Sequence, residues 1–257
     1  MEQADVKSLY LIKQEKSWPR RAERIRCIIQ SPDGQSKIRR TGGIQICQVL
    51  PEMLQKAEIS PDEIAGIGID GQSWSAIAVD ENGNVLTNTP IWMDTRAQDI
   101  CDELNERIGK DRIFKLCGNS LQPSYTTSKI VWYQRNLPEV YAKTAKILQS
   151  NSYIAFKLTG KMTQDVSQGY GLHCFNMQEM TWDFAMCEEL GFSKDLLPEI
   201  YPCHAVIGTV TEERQEVDLR GNPGCGRRVW MQPAQPLGGR CSFTMERHRS
   251  KAGRQGG

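Results

Sequence analysis

Two polar–aromatic clusters carry the groups best suited to chemistry: Gln72, Ser73 and Trp74 in the run Asp70-Gly71-Gln72-Ser73-Trp74, and Trp92, Asp94 and Arg96 in Trp92-Met93-Asp94-Thr95-Arg96. Each offers hydrogen-bonding side chains beside an aromatic face. A carbohydrate needs this mixture, with donors and acceptors for its hydroxyls and an apolar surface for its C–H face. Each cluster also has a plainer reading: Trp74 could anchor the packing of an ordinary polar loop, and Asp94 and Arg96 could be a structural ion pair beside a core Trp92. The recurrence of the second cluster so soon after the first favours a ligand site. A third stretch, Ser124-Tyr125-Thr126-Thr127-Ser128-Lys129-Ile130-Val131-Trp132, places hydroxyls before a helix, where capping is their ordinary role. Lys129 and Trp132 stand at i and i+3, so a cation–π or packing contact between them is expected without any chemistry. No P-loop, His-Glu-x-x-His or EF-hand pattern occurs.

These clusters need elements to hold them. Ala65, Ile67 and Ile69 alternate with Gly66 and Gly68, which predicts a strand that delivers Gln72 to Trp74 at its end, where α/β sheets place ligands. A second strand runs from Ala76 to Val79, and Glu81-Asn82-Gly83-Asn84 is a hairpin turn with Val85-Leu86 returning. Helices are expected over 44–58, after a capping box at 60–63, over 97–109 with an exposed acidic face, over 128–135, over 153–158 up to Gly160, and within 183–201. Strands alternating with helices indicate an α/β architecture.

Composition narrows the class. The formal charge is +1, yet residues 1–41 carry a net +5, residues 42–213 a net −10 and residues 214–257 a net +6. The basic ends lack the aromatic interleaving or helical spacing of a nucleic-acid reader, so no nucleic-acid partner is expected. Nine scattered cysteines without a C-x-x-C pair read as free thiols in a reducing compartment. No apolar run reaches membrane-spanning length and the N-terminus lacks a signal-peptide core, so the expectation is a cytoplasmic chain with no membrane partner.

The stretches GIGIDGQSW, TPIWMDTRA, QPSYTTSKIVWYQRN and LTGKMTQDVSQGYGL, in this order, resemble the FGGY family of carbohydrate kinases, most closely its xylulokinase-like members. The resemblance covers residues 44–213. In the third stretch Ser124, Thr126, Lys129, Trp132 and Asn136 match a family signature, and Tyr133 stands where that signature expects an aliphatic residue, Met or Phe. The resemblance implies a ribonuclease-H-like (actin-like ATPase) N-terminal lobe with sugar and ATP in a cleft against a second lobe. It implies transfer of the ATP γ-phosphate, with Mg2+, to a sugar hydroxyl, the proton being taken by an aspartate of the second half. It also implies that Gln72, Ser73, Trp74, Trp92, Asp94, Arg96 and, more weakly, Ser124 hold the sugar, expected to be a ketopentose. A homo-oligomer is compatible with these features, and a catalytically silent sugar-binding or interaction module is the alternative function.

The ends read differently. Residues 1–43 and 214–257 have little aliphatic periodicity and are expected to be irregular. The family's phosphate-touching hairpin is absent from residues 1–43, as is the catalytic Asp from the chain, so ATP and Mg2+ are not expected to bind properly. Codon overlap suggests a cause. The third base of one codon with the first two of the next forces Gly at Met1-Glu2, Ala at Trp18-Pro19, Asp at Trp230-Met231, Ala at Met231-Gln232 and Gly at Met245-Glu246. The shifted strings resemble the family's first hairpin and its catalytic segment. Both ends are therefore expected to be out-of-frame remnants around an in-frame sugar-binding lobe, with catalysis impaired.

Overall fold

The structure, a computed structural model, describes residues 54–55, 58, 60, 64–71 and 73–211, and the backbone of four further strands at 9–13, 22–30, 228–231 and 240–248. The strands are β1 (Leu9–Lys13), β2 (Ala22–Gln30), β3 (Ile64–Asp70), β4 (Ile77–Val79), β5 (Lys146–Leu148), β6 (Thr163–Asp165), β7 (Phe175–Asn176), β8 (Thr181–Trp182), β9 (Glu199–Tyr201), β10 (Val206–Thr209), β11 (Arg228–Met231) and β12 (Arg240–His248). The α-helices are α1 (Gln98–Leu104), α2 (Lys110–Cys117), α3 (Thr126–Asn136), α4 (Pro138–Lys143), α5 (Ser150–Thr159), α6 (Val166–Gly169) and α7 (Phe184–Leu190).

A six-stranded sheet has the order β1-β2-β12-β3-β11-β10. β3 lies inside it, antiparallel to β12 and parallel to β11, and its Ile64, Ile67 and Ile69 are buried. Glycines at 66 and 68 leave room beside a strand covered by α5, which packs on β3, β10 and β11. The ends of the chain, expected to be irregular, supply β1, β2, β11 and β12. Short apolar runs such as Leu9-Tyr10-Leu11-Ile12, Cys27-Ile28-Ile29 and Val229-Trp230-Met231 suit strands, and averaging them with the surrounding Arg, Gly and Gln hides them.

β4 runs antiparallel to β5, with Ile77 opposite Leu148 and Val79 opposite Lys146. Its side chains split by the strand period of two. Ala76 and Ala78 join the larger core with Ile100, Leu104, Ile113, Ile130, Tyr133 and Phe175, whereas Ile77 and Val79 join a smaller one with Leu148, Tyr153 and Phe156. The expected hairpin after β4 is present as a turn. Asp80 accepts from the Asn82 and Asn84 backbone N–H groups at 2.9 and 2.8 Å, but the returning chain makes only an isolated bridge between Val79 and Val85.

Gly83 sits in that turn at φ +75°, and a Cβ there would lie 2.1 Å from Phe156 Cε1. Gly83→Ala is therefore expected to destabilise the chain by about 1–3 kcal/mol, read as a lower urea midpoint at unchanged slope.

The expected exposed helix over 97–109 differs most. α1 buries Ile100, Cys101 and Leu104, then Asn105–Gly109 widens into a π-turn, and the chain continues as α2 to a left-handed cap at Gly118. The helix expected over 44–58 lies outside the described residues except for helical Leu54 and Gln55 and for Glu58, which is in a turn, and positions 61–63 of the capping box lie outside them too. α3 and α5 run slightly beyond their expected bounds, α5 ending at Gly160 with φ +73°. No helix among the described residues is long and apolar enough to cross a membrane.

Candidate functional site

β3 ends at Asp70, and Gly71 then passes close to the start of α5: a Cβ there would lie 2.5 Å from Ser150 Oγ and 2.8 Å from Asn151 N. Only glycine lets the chain turn here. Gln72 lies outside the described residues. Ser73 is half-buried, and Trp74 adopts φ +66°, a left-handed conformation that costs a residue of this size on the order of 1–3 kcal/mol. Trp74 is held from both sides. Its N–H donates to Gln149 Oε1 at 2.8 Å, and its carbonyl accepts from Lys129 Nζ at 2.9 Å. Its ring lies 4.5 Å from that of Tyr125 and meets Tyr170 edge-on at 6.3 Å. Among the described residues the indole Nε1 reaches no acceptor at hydrogen-bonding geometry. Burial raises the Tyr170 phenol, and the nearby indole N–H only partly offsets it.

The second cluster is tied to itself and to α3. Arg96 Nε donates to both Asp94 oxygens at 2.9 Å, and its Nη2 lies 2.7 Å from Asp94 Oδ2. Burial pushes the Asp94 carboxyl up, but the hydrogen bonds and charge of Arg96 bring it below its ordinary value. The Arg96 guanidinium stands 4.7 Å from the Trp132 ring centroid. The cation over Trp132 is thus Arg96 and not, as i,i+3 spacing suggested, Lys129. Trp92 is exposed.

Lys129 turns the other way. It is fully buried, and Nζ donates to the carbonyls of Ser124, at 2.6 Å, and Trp74. Burial drives its pKa down to about 7, with Asp94 pulling it up and Arg96 pushing it further down. Three segments distant in sequence, at Trp74, at Asp94 and Arg96, and at Ser124, therefore meet around one ammonium group and its helix.

The hydroxyls ahead of α3 do not cap it, because its N-cap Tyr125 makes no side-chain cap hydrogen bond. They fasten loops instead. Thr126 Oγ1 donates to the Ser75 carbonyl, and Thr127 Oγ1 accepts the His173 backbone N–H at 2.8 Å. His173 Nε2 lies 3.2 Å from the Ser120 carbonyl, which only accepts, so the proton sits there and Nδ1 accepts from Thr127 Oγ1 at 3.0 Å. Burial lowers the His173 pKa to about 4, and its ring meets Tyr125 edge-on at 5.1 Å.

Beneath the loop lies a buried polar layer centred on Asp165. Its Oδ2 accepts from Asn151 Nδ2 at 2.8 Å and Gln164 Nε2 at 3.4 Å. Its Oδ1 accepts from Gln168 N at 3.1 Å and from the Ser167 hydroxyl. Gln149 links this layer to Trp74, because its Nε2 donates to the Gln168 carbonyl at 2.9 Å while its Oε1 holds the Trp74 N–H.

Tyr125, Gln149 and Tyr170 are thus parts of the candidate site that motif spacing did not single out, and Lys129, matched only as a signature position, proves to be the donor to two of its loops. Two cavities elsewhere, one of about 270 Å³ beside Arg112, Lys115 and Asp183 and one of about 540 Å³ beside Asp102, Glu106 and Asp111, involve none of these residues. Among the described residues no three His, Cys, Asp or Glu side chains gather as a metal site, and Cys101, Cys117, Cys174 and Cys187 are buried free thiols.

Residues 19–218 match the model of the FGGY family of carbohydrate kinases, N-terminal domain, a span wider at both ends than 44–213. The chain is 26% identical to the xylulose kinase of Bacillus subtilis (strain 168) over 166 residues, 65% of this chain and 33% of that one. It is 30% identical to the glycerol kinase of Shewanella sp. (strain ANA-3) over 185 residues, 68% of this chain and 37% of that one. The chain thus spans about a third of the length of these relatives. The crystal structure of a ligand-bound xylulose kinase from Lactobacillus acidophilus superposes with a TM-score of 0.68 at 21% identity, over 82% of this chain and 46% of that chain. That likeness shows the fold, the N-terminal part of an actin-like ATPase architecture. The family match covers well over half of the residues, and the chain belongs to the FGGY family of carbohydrate kinases as a xylulokinase-like N-terminal segment.

Proposed function

We propose that this chain is the sugar-binding lobe of an ATP-dependent, xylulokinase-like kinase, with Gln72, Ser73, Trp74, Trp92, Asp94, Arg96 and Ser124 serving a ketopentose. One observation carries this reading: the segments at Trp74, at Asp94 and Arg96, and at Ser124 gather around Lys129 on one face of α3. The Trp74 and Tyr125 rings, in contact at a tilt of 38°, offer an apolar face, and the Asp94–Arg96 fork offers acceptors and donors, the pairing a sugar requires. The names of the xylulose kinase relatives support a ketopentose.

Phosphoryl transfer needs a positioned nucleotide, a neutralising cation and a base at the acceptor hydroxyl. ATP and Mg2+ supply the phosphate and the charge neutralisation in a complete kinase. The described residues gather no acidic cluster for the cation. As given, the chain is proposed to bind the sugar in the cytoplasm and to transfer phosphate weakly or not at all. Calorimetry with D-xylulose, with and without Mg–ATP, tests this. Sugar binding that is indifferent to ATP and accompanied by no turnover is expected, and it also describes a silent sugar-binding module. Normal turnover of D-xylulose would overturn the impairment, and no heat with D-xylulose would overturn the ketopentose site.

The division into an in-frame lobe over 44–213 and out-of-frame ends is likewise proposed. It rests on the residues forced by Met and Trp codons near both ends. Reading the gene's DNA decides it: if no frame yields the family-like strings, the division falls.

A further inference from the structure

Burying an ammonium group is unfavourable unless its hydrogen bonds are satisfied, and a methionine of similar length would pack the same space without that penalty. Lys129 is nevertheless fully buried in α3, with its Nζ on two backbone carbonyls, at 2.9 Å for Trp74 and 2.6 Å for Ser124. These carbonyls belong to different loops, and each loop carries a candidate sugar contact. The Trp74 carbonyl also belongs to a residue at φ +66°, a conformation that persists only where its surroundings hold it. The other hold on Trp74 is the Gln149 side chain on its N–H. The peptide units on either side of the strained Cα are therefore pinned, one by an amide and one by the ammonium.

We propose that Lys129 is the positioning residue of the sugar site: by donating to the Trp74 and Ser124 carbonyls it locks the left-handed Trp74 backbone and lays the indole on the Tyr125 ring. The inference rests on the sugar-site reading for its purpose, but the structural effect on Trp74 can be read without any sugar. Lys129 itself faces inward, with its ammonium group spent on the two carbonyls. Its low pKa, near 7, fits a group kept for its hydrogen bonds at the expense of solvation.

The test compares Lys129→Met with Tyr133→Phe, which removes a hydrogen bond from the same helix to the Ala76 carbonyl and leaves the two loops alone. The first readout is the part of the near-UV circular dichroism that disappears in Trp74→Phe. That signal is expected to vanish in Lys129→Met and to survive in Tyr133→Phe. The second readout is D-xylulose affinity by calorimetry, expected to weaken about tenfold or more in Lys129→Met, as two half-buried carbonyls lose their donor, and to change little in Tyr133→Phe. Should Lys129→Met fail to give the far-UV spectrum of a folded chain, Lys129→Gln, whose shorter amide cannot span both carbonyls, replaces it and must show the same loss. A folded Lys129 variant that keeps the full Trp74 signal overturns the proposal. A parent chain that ignores D-xylulose sinks the sugar reading, while the Trp74 signal still decides whether Lys129 positions the loop.

Discussion

Asp165→Ala is expected to lower the unfolding free energy by about 3–5 kcal/mol, because it strands several buried donors at once. Asn151 Nδ2, Gln164 Nε2, Gln168 N and the Ser167 hydroxyl all end on this one carboxyl group, and Asp165, Asn151, Gln164 and Gln168 are almost fully buried. A donor left without an acceptor in such a place forfeits its solvation with nothing in return. Urea unfolding of the parent, Asp165→Ala and Asp165→Asn measures the effect. The asparagine variant keeps one acceptor but turns an NH2 toward other donors, so it should fall between the two. The consequence should also reach the loop above, since Gln149 bridges the Gln168 carbonyl and the Trp74 N–H. A shift of under about 1 kcal/mol for the alanine variant would mean that the layer is not a cooperative network.

Acid should be nearly as damaging, through His173. The imidazole is buried in its neutral form, with its pKa lowered by burial to about 4 from an ordinary 6.5. Between these values the unfolded chain binds a proton that the folded chain does not, so stability falls as the pH falls. Its contribution is intact above pH 6.5, declines through the interval, and is lost below about 4, a total on the order of 3 kcal/mol. The chemistry agrees with this sign. A protonated ring would turn a second N–H toward Thr127 Oγ1, whose own proton now points at Nδ1. Denaturant midpoints at pH 7, 5.5 and 4.5 should fall steadily, and His173→Gln should flatten the lower part of the profile. An unchanged profile in His173→Gln would assign the acid sensitivity to other groups.

Strand β3 and the loop after it were legible because alternation of Ile with Gly is a local pattern that tertiary contacts reinforced. Trp74, Asp94, Arg96 and Ser124 stood out through motifs rather than through periodicity. Lys129 stood out only as a signature position, and its burial did not, since a lysine in a helix is ordinarily solvated and only the fold reveals two carbonyls waiting for it. α3 is buried almost continuously from Thr126 to Val131, which erases the polar–apolar contrast on which helix reading depends. The Asp165 layer was invisible for the same reason: Ser152, Gln164 and Gln168 read as surface residues until α5, β6 and α6 enclose them. The terminal strands escaped notice because their pairing is long-range, with β12 running between β2 and β3.

The π-turn at Asn105–Gly109 has a further consequence, for which chain lengths this fold tolerates. In an unbroken α-helix Leu104 and Ile113 would point to opposite sides, roughly 180° apart. Both are fully buried in the same core, so the wide turn and the positive φ of Gly109 act as a phase shifter between α1 and α2. Removing one residue there would let the helix run true with Ile113 eight residues after Leu104, roughly 80° round the axis and still toward the core, whereas straightening the turn with every residue kept would carry Ile113 to the far side. Phe114, then nine residues after Leu104, would stay on the exposed side where it already lies, and the chain from Gly118 to Ser124 would keep its heading. The wide turn thus absorbs a single surplus residue, and the phase of α2 and the heading of the chain toward Ser124 do not depend on it.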